Sequence, residues 1–312
     1  MRIEYHRTLL ADRVRNAAFH TALSRVIVPG ETIVADIGCG TGLLAFMAAK
    51  LGAKRVYGIE RADIGAVADK LRRHNAMKTV RLIAGHSTDL EPPEPVDVVI
   101  SETLGNYPFE ENIIETLTDA RARWLKPGGI VIPARVEQFI CPVVAERQFR
   151  ELTIWDEVGF GLDFAPARRM GLNNIYVRVF DPADLLDGGR AAAAWDTADL
   201  ARSAKTTRAG EATWRIDAAT TIHGLASWWT AELSAGVTLA TGPLAPKTHW
   251  EQLFLPALEP MRLAKGETLA VKMRSTTSYE NGTNVTWTLR RLDARGKELE
   301  RQALDLEKGF LP

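Results

Sequence analysis

The sequence predicts an α/β protein in which a doubly wound parallel sheet precedes a mostly antiparallel, barrel-like β domain. Three observations carry this. Over roughly the first 130 residues, short apolar runs alternate with helical patterns, as they do in parallel sheets. After Pro133 helical periodicity becomes scarce, and runs rich in Val, Thr and Trp take over between Gly, Pro and Asn-Gly turns. Between the first strand and its helix lies VADIGCGTG (Val34–Gly42), a glycine-rich turn of the Rossmann-like kind. The expected domains are residues 1–133 and 134–312.

Leu9, Leu10, Val14, Ala17 and Ala18 recur at helical spacing, so residues 6–27 read as one amphipathic helix. TIVADIG is a strand, TGLLAFMAAKLGA a helix, RVYGIE a strand and ADIGAVADKLRRHN a helix. VRLIAG and VDVVISE are strands, a helix runs from about Glu110 to Trp124, and KPGGIVIP closes the sheet. In the second part, IYVRVF, ATWRIDA, HGLASWWTAEL, ETLAVKMR and NVTWTLRRLD read as strands, and the Ala/Gly-rich stretch 183–199 as an irregular excursion. Trp228 and Trp229 are neighbours on a strand and must face opposite ways, so at most one lines a cleft.

Lys+Arg and Asp+Glu both number 39, and this balance argues against a nucleic-acid-coating surface or a polybasic membrane patch. Two cysteines, Cys39 and Cys141, supply neither a disulfide framework nor metal-ligand spacing, so no metal is expected. The charged start MRIEYHRTLLADRVR lacks an apolar signal core, and no stretch approaches the roughly 18 apolar residues of a membrane span. The expected compartment is the cytoplasm. Without a signal peptide, the N-x-T triplets at Asn281 and Asn284 read as chance.

In the turn, Gly38, Gly40 and Gly42 allow a sharp bend and close ligand approach, and the next helix offers free N–H groups. Three details favour S-adenosylmethionine. Asp36 precedes the glycines, the spacing is G-C-G-T-G rather than G-x-G-x-x-G, and Glu60 ends the second strand, where a carboxylate can accept both ribose hydroxyls. A dinucleotide or a purely structural turn are the alternatives. Cys39 reads as a small loop residue rather than a nucleophile.

SETLGNYPFEEN (residues 101–112) gathers Glu102, Glu110 and Glu111 after an apolar strand. Two carboxylates can grip a planar cation with five donors from two sides. The plainer readings are a solvated Glu102 and helix-start acids at Glu110 and Glu111.

Across nearly its whole length the chain resembles the protein arginine methyltransferases. The resemblance rests on DIGCGTGLLAFMAAKLGAKRVYGIE, VDVVISETLGNYPFEEN, ARARWLKPGGIVIP and above all GPLAPKTHWEQLFL with its Thr-His-Trp triplet. It implies an S-adenosylmethionine-binding domain followed by a β barrel, with the active site between them and pairing as a homodimer through an arm, expected within residues 160–195. By resemblance, Asp36, Gly38 and Gly40 belong to the cofactor loop and Glu60 to the ribose. Arg15 would hold the methionine carboxylate, and Asp12 would pair with His249. Glu102 and Glu111, nine positions apart, would clamp a guanidinium, with Glu110 the competing choice for the second jaw. Ser87 and Thr88 fall at the adenine, Thr88 standing where the family has a glutamate. The plainer readings are surface charges for Asp12 and Arg15 and a barrel histidine without chemistry for His249.

Two departures matter. Ahead of His6 the family carries a Tyr-Phe-x-x-Tyr segment, whereas here only Arg2–Tyr5 follow Met1, so that lid is expected to be missing. The usual Ser-Glu-Trp-Met-Gly reads Ser-Glu-Thr-Leu-Gly, so Thr103 and Leu104 thin the pocket lining. The expected activity is N-methylation of a guanidinium in a protein, a peptide or free arginine. The alternatives are transfer to another amine or oxygen nucleophile, and a non-catalytic relative that binds a partner.

Overall fold

The computed structural model describes residues 3–310; the segment before His6 that bears on the lid falls partly outside them, as does the Tyr5 side chain. Strands β1 (Ile33–Ile37), β2 (Arg55–Glu60), β3 (Val80–Ala84), β4 (Val96–Ile100) and β5 (Leu125–Ile132) form an all-parallel sheet in the order β3-β2-β1-β4-β5. Helices α3 (Leu43–Lys50), α4 (Ile64–His74) and α5 (Ile113–Arg123) are the connections between strands. The order reverses at β1, so the carboxyl ends of β1 and β4 open a crevice. The central strands are buried on both faces: Val34, Ala35, Val56, Val98, Val99 and Ile100 are at most 1% exposed.

The chain changes sheets between Ile132 and Arg135. Strands β6 (Arg135–Val143), β8 (Ala193–Asp199), β10 (Thr220–Ser234), β11 (Val237–Ala240), β12 (Gln252–Leu263) and β7 (Tyr176–Arg178) build one antiparallel sheet, ordered β7-β12-β10-β6-β8 with β11 paired to β10. A second sheet, β15-β14-β13-β9, comes from β9 (Thr207–Arg215), β13 (Thr268–Ser278), β14 (Gly282–Leu292) and β15 (Glu298–Asp305). The α/β class with two differently built parts is as the sequence predicts.

Three local readings need correction. Residues 6–27 are two helices, α1 (Ile3–Ala11) and α2 (Arg13–Val26), broken at Asp12. Asp12 has extended dihedrals (φ −74°, ψ 92°) and its Oδ1 accepts the Arg15 N–H at 2.8 Å, so it caps α2. Helix α5 begins at Ile113 rather than Glu110, because Asn112 is left-handed (φ 58°), and Glu110 and Glu111 lie in the preceding turn. The end of the predicted excursion is strand β8, paired to β6. Exposed apolar side chains cluster at the start of the range expected for the arm, 160–195, and just before it. Between α6 (Glu146–Arg150) and α7 (Ala165–Leu172), Ile154, Phe160 and Leu162 are 58%, 94% and 61% exposed, whereas Phe180 and Leu185 are buried.

Helix α2 packs on α3 of the first domain and on β10 and β11 of the second, and the Arg25 guanidinium donates to the Ala235 carbonyl at 2.7 Å. This position lets one short helix contribute to a site between the two domains. No helix among the described residues is long and apolar enough to cross a membrane.

Candidate active site

A cavity of about 780 Å³ opens over the carboxyl ends of β1, β2 and β4, between the domains. Its walls include Arg15, Asp36, Gly38, Gly40, Glu60, Ser87, Glu102, Glu111 and His249. Asp12 stands behind His249, while Thr88 lies off the wall, its hydroxyl 2.7 Å from His86 Nδ1 and 3.1 Å from Asp89 Oδ1.

The glycine turn is built for close approach. Gly38 has φ +75°, and a Cβ there would meet Thr103 Cγ2 at 2.8 Å. Asp36 Oδ2 accepts the Ala45 N–H at 2.9 Å and so ties the end of β1 to the first turn of α3. Its burial pushes the carboxyl pKa up to about 7, against the pull of the Ala45 N–H and Arg15. Glu60 accepts the Gly40 N–H at 2.9 Å and the Ala62 N–H at 2.8 Å, one on each oxygen, so its carboxylate is fixed beside the turn with lone pairs to spare.

Loop 101–112 carries the acids. The Ser101 hydroxyl donates to the Ile37 carbonyl at 2.8 Å and joins the ends of β4 and β1. The Glu102 side chain is only 6% exposed and forms a buried ion pair with Arg15, whose Nε donates to Oε2 at 2.7 Å and whose Nη2 reaches the same oxygen. Glu102 Oε1 is held only by a long contact from the Leu104 N–H, 3.4 Å. Burial raises the Glu102 pKa to about 6 although Arg15 opposes it. Glu111 stands at the mouth; the cavity walls raise its pKa, Arg61 opposing and Glu60 adding to the rise. Glu110 is raised too, first by burial, and is oriented by the Asn106 and Tyr107 N–H groups, with its carboxyl folded over Gly105.

The expected Asp12–His249 contact is present. Asp12 Oδ2 accepts the His249 backbone N–H at 2.7 Å and lies 2.8 Å from Nδ1. A carboxylate in that place favours the Nδ1–H tautomer and leaves Nε2 as the acceptor. Burial lowers the His249 pKa more than Asp12 raises it, so the ring is neutral at neutral pH. Asp12 itself is lowered: burial pulls it up, but the Arg15 and His249 donors outweigh that.

Sequence reading missed the supports of the glutamate loop. Trp229 Nε1 donates to the Gly105 carbonyl at 3.0 Å, Trp250 Nε1 to the Leu104 carbonyl at 2.7 Å, and the Glu251 N–H to Asn106 Oδ1 at 3.1 Å. Tyr107 bonds to Ser275 of the second sheet. Trp228, on the opposite face of β10, stacks on Phe139 away from the site. His6 was also missed: it lines the cavity, and a Cβ on Gly40 would lie 3.5 Å from its Cε1. Its spacing with Leu9 and Leu10 on one helix face was the available signal. Replacing Trp250 by Phe should leave the buried Leu104 carbonyl without its donor, a cost of about 1–3 kcal/mol. A lower denaturation midpoint and a kcat/KM loss exceeding any loss in cofactor affinity are the expected readouts.

The wall suits a cationic nucleoside ligand. It concentrates Asp36, Glu60, Glu102, Glu110 and Glu111 against Arg15 and Arg61. The Gly38 cradle is one that a Cβ would fill, and the Ser87 hydroxyl is buried without a protein partner, open to a ligand donor or acceptor. Fold and site together define an S-adenosylmethionine-dependent methyltransferase.

Comparisons narrow the class. Residues 136–290 match the arginine methyltransferase oligomerization subdomain, and residues 20–136 match the ribosomal protein L11 methyltransferase (PrmA) family. The chain is 28% identical over 289 residues to protein arginine N-methyltransferase 1 of Chlamydomonas reinhardtii, covering 88% of this chain and 81% of that protein. The Dictyostelium discoideum protein of the same name is 29% identical over 279 residues, covering 86% and 80%. In fold it is similar to a Trypanosoma brucei PRMT1 enzyme–prozyme complex with AdoHcy (TM-score 0.84, 24% identity, 97% of this chain and 98% of that one). Arabidopsis thaliana protein arginine methyltransferase 10 gives 0.82 at 21% identity, with 98% of both chains covered. Over most of its length the chain is similar to protein arginine methyltransferases.

Proposed function

We propose that this protein methylates a guanidinium nitrogen of arginine, carried by a protein, a peptide or the free amino acid. The observation that supports this best is that Glu102 and Glu111, from one loop, line the same cavity as the glycine turn and Glu60. S-adenosylmethionine, when bound, supplies an electrophilic methyl group on a sulfonium. Gly38, Gly40 and Glu60 would hold it, with Asp36 shaping the turn, Ser87 at the base, and Arg15 at the methionine end. Thr88, turned to His86 and Asp89, has no such place.

Arg15 has a second task. By engaging Glu102 Oε2 it fixes the carboxylate and leaves Oε1 as the face for a substrate cation. That the chain's own guanidinium sits on Glu102 illustrates the complementarity. Glu111 would take the other side, and Glu110, folded over Gly105, is the weaker claimant. Held asymmetrically, the substrate presents one terminal nitrogen toward the cofactor, and alignment supplies much of the rate. The methylated nitrogen then loses a proton, for which neutral His249, oriented by Asp12, provides an acceptor at Nε2.

Glu102 must be ionised to hold the cation, while the substrate stays charged to a pKa above 12. Since the carboxylate forms only as pH rises through about 6, kcat/KM should fall on the acid side of about pH 6. A pH–rate profile checks this, and an acid limb below pH 5 would contradict it.

The protein should pair as a homodimer through the stretch around Phe160. The match of residues 136–290 to an oligomerization subdomain supports this, as does the 94% exposure of Phe160 beside Leu162. Phe160→Ser with Leu162→Ser should shift the species seen by light scattering from dimer to monomer. The activity itself is tested by incubating the protein with methyl-labelled S-adenosylmethionine and either arginine-rich peptides or free arginine. Label on arginine nitrogen supports the reading, and label only on another nucleophile overturns it.

A further inference from the structure

The second domain also reaches the nucleotide side of the cavity through a single residue at a hairpin tip. Strands β13 and β14 pair as far as Ser278 and Gly282, and the Asn281 N–H donates to Ser278 Oγ at 3.0 Å, closing the turn. Tyr279 leaves this tip and crosses to the first domain. Its hydroxyl lies 2.9 Å from Thr116 Oγ1 in α5. Its ring meets His86, in the loop after β3, edge-on at 5.5 Å and 80°. Tyr279, Thr116, His86 and Arg61 all line the cavity described above.

Their place in that cavity is specific. Glu60, at the end of β2, marks the ribose, and Arg15 and Glu102 mark the opposite end, beside β1 and β4. A nucleoside laid across these strand ends must put its base beyond Glu60, toward β3. The loop there is rigid, because Arg123 donates to the Ser87 carbonyl and the Leu90 carbonyl at 2.7 Å each. It presents the buried Ser87 hydroxyl, which has no protein partner. Tyr279 covers this end yet remains 47% exposed, so its ring retains a free face. Aromatic groups gain energy from stacked or edge-on contact with a flat base, and a guanidinium such as Arg61 adds to it.

We propose that Tyr279 is a cofactor-positioning residue supplied by the antiparallel domain, closing the adenine end of the cavity and latching the two domains through Thr116. This deepens the cofactor assignment and rests on it. A residue that only braced the domains would lower the stability of the ligand-free protein without a selective effect on the cofactor.

The test is calorimetric titration of S-adenosylhomocysteine into the full chain and into Tyr279→Phe, Tyr279→Ala and Thr116→Val, with steady-state kinetics and melting curves beside it. Tyr279→Ala should weaken binding on the order of tenfold and raise KM for S-adenosylmethionine equally, with kcat at saturating cofactor within about twofold. Tyr279→Phe keeps the ring and should lose less, about as much as Thr116→Val. Unchanged affinity in Tyr279→Ala, with or without a lower melting temperature, overturns the proposal. If the unmodified protein fails to bind S-adenosylhomocysteine, the cofactor assignment itself falls, a result distinct from the other.

Discussion

Glu111→Gln is expected to lower kcat/KM for an arginine substrate on the order of a thousandfold, about 4 kcal/mol, with S-adenosylhomocysteine affinity nearly unchanged. The amide keeps the shape and removes the charge that grips the guanidinium. Glu102→Gln should lose at least as much activity, and it carries an added cost. It leaves the Arg15 guanidinium, buried with Glu102, without its counter-ion, and breaking a buried pair costs roughly 3–5 kcal/mol. The two variants therefore separate: both lose turnover, but only Glu102→Gln should show a large drop in denaturation midpoint. Full activity in Glu111→Gln would remove that residue from the clamp and turn attention to Glu110.

Asp12 is the second residue with a large expected effect, because it performs two tasks. One oxygen caps α2 at Arg15 N, and the other holds the His249 backbone and imidazole. Asp12→Ala removes a cap worth about 1 kcal/mol and strands donors of a buried loop at about 1–3 kcal/mol, so a loss of roughly 2–4 kcal/mol is expected. Asp12→Asn keeps a good cap, but its amide nitrogen cannot accept the His249 N–H, so it should lose about 1–3 kcal/mol of stability, less than Asp12→Ala. Without the carboxylate, however, the His249 tautomer is no longer fixed, and turnover should fall on the order of a hundredfold. Denaturation curves and kcat/KM for both variants read the two tasks separately. Undiminished turnover in Asp12→Asn would exclude the His249 pair as the proton route.

Much of this site was legible because the glycine turn, Glu60 and the glutamate loop are local patterns. Strand, turn and helix dictate where Gly38, Gly40 and Glu60 lie whatever surrounds them. The parts that escaped depend on contacts between distant segments. Periodicity runs smoothly through residues 6–27, so the break at Asp12 was hidden, although aspartate is a common N-cap residue. The late start of α5 turns on Asn112 adopting φ 58°, a conformation that acidic residues at 110 and 111 did not betray. Trp229 was legible only as one of two neighbours facing opposite ways and Trp250 only as part of the Thr-His-Trp triplet, and nothing local showed that their indole N–H groups would meet the Gly105 and Leu104 carbonyls from across the chain. Tyr279 sits at a hairpin tip, where strand pairing rather than sequence brings it to Thr116.

In the proposed reaction the acidic loop selects a guanidinium and directs methyl transfer to its nitrogen. Tandem mass spectrometry of a pool of otherwise identical peptides bearing arginine, lysine or citrulline, after one incubation with S-adenosylmethionine, tests it most directly. Citrulline keeps the shape of arginine and lacks its charge. Methyl groups are expected on the arginine side-chain nitrogens alone. Methylation of lysine, or of citrulline at a comparable rate, would contradict it.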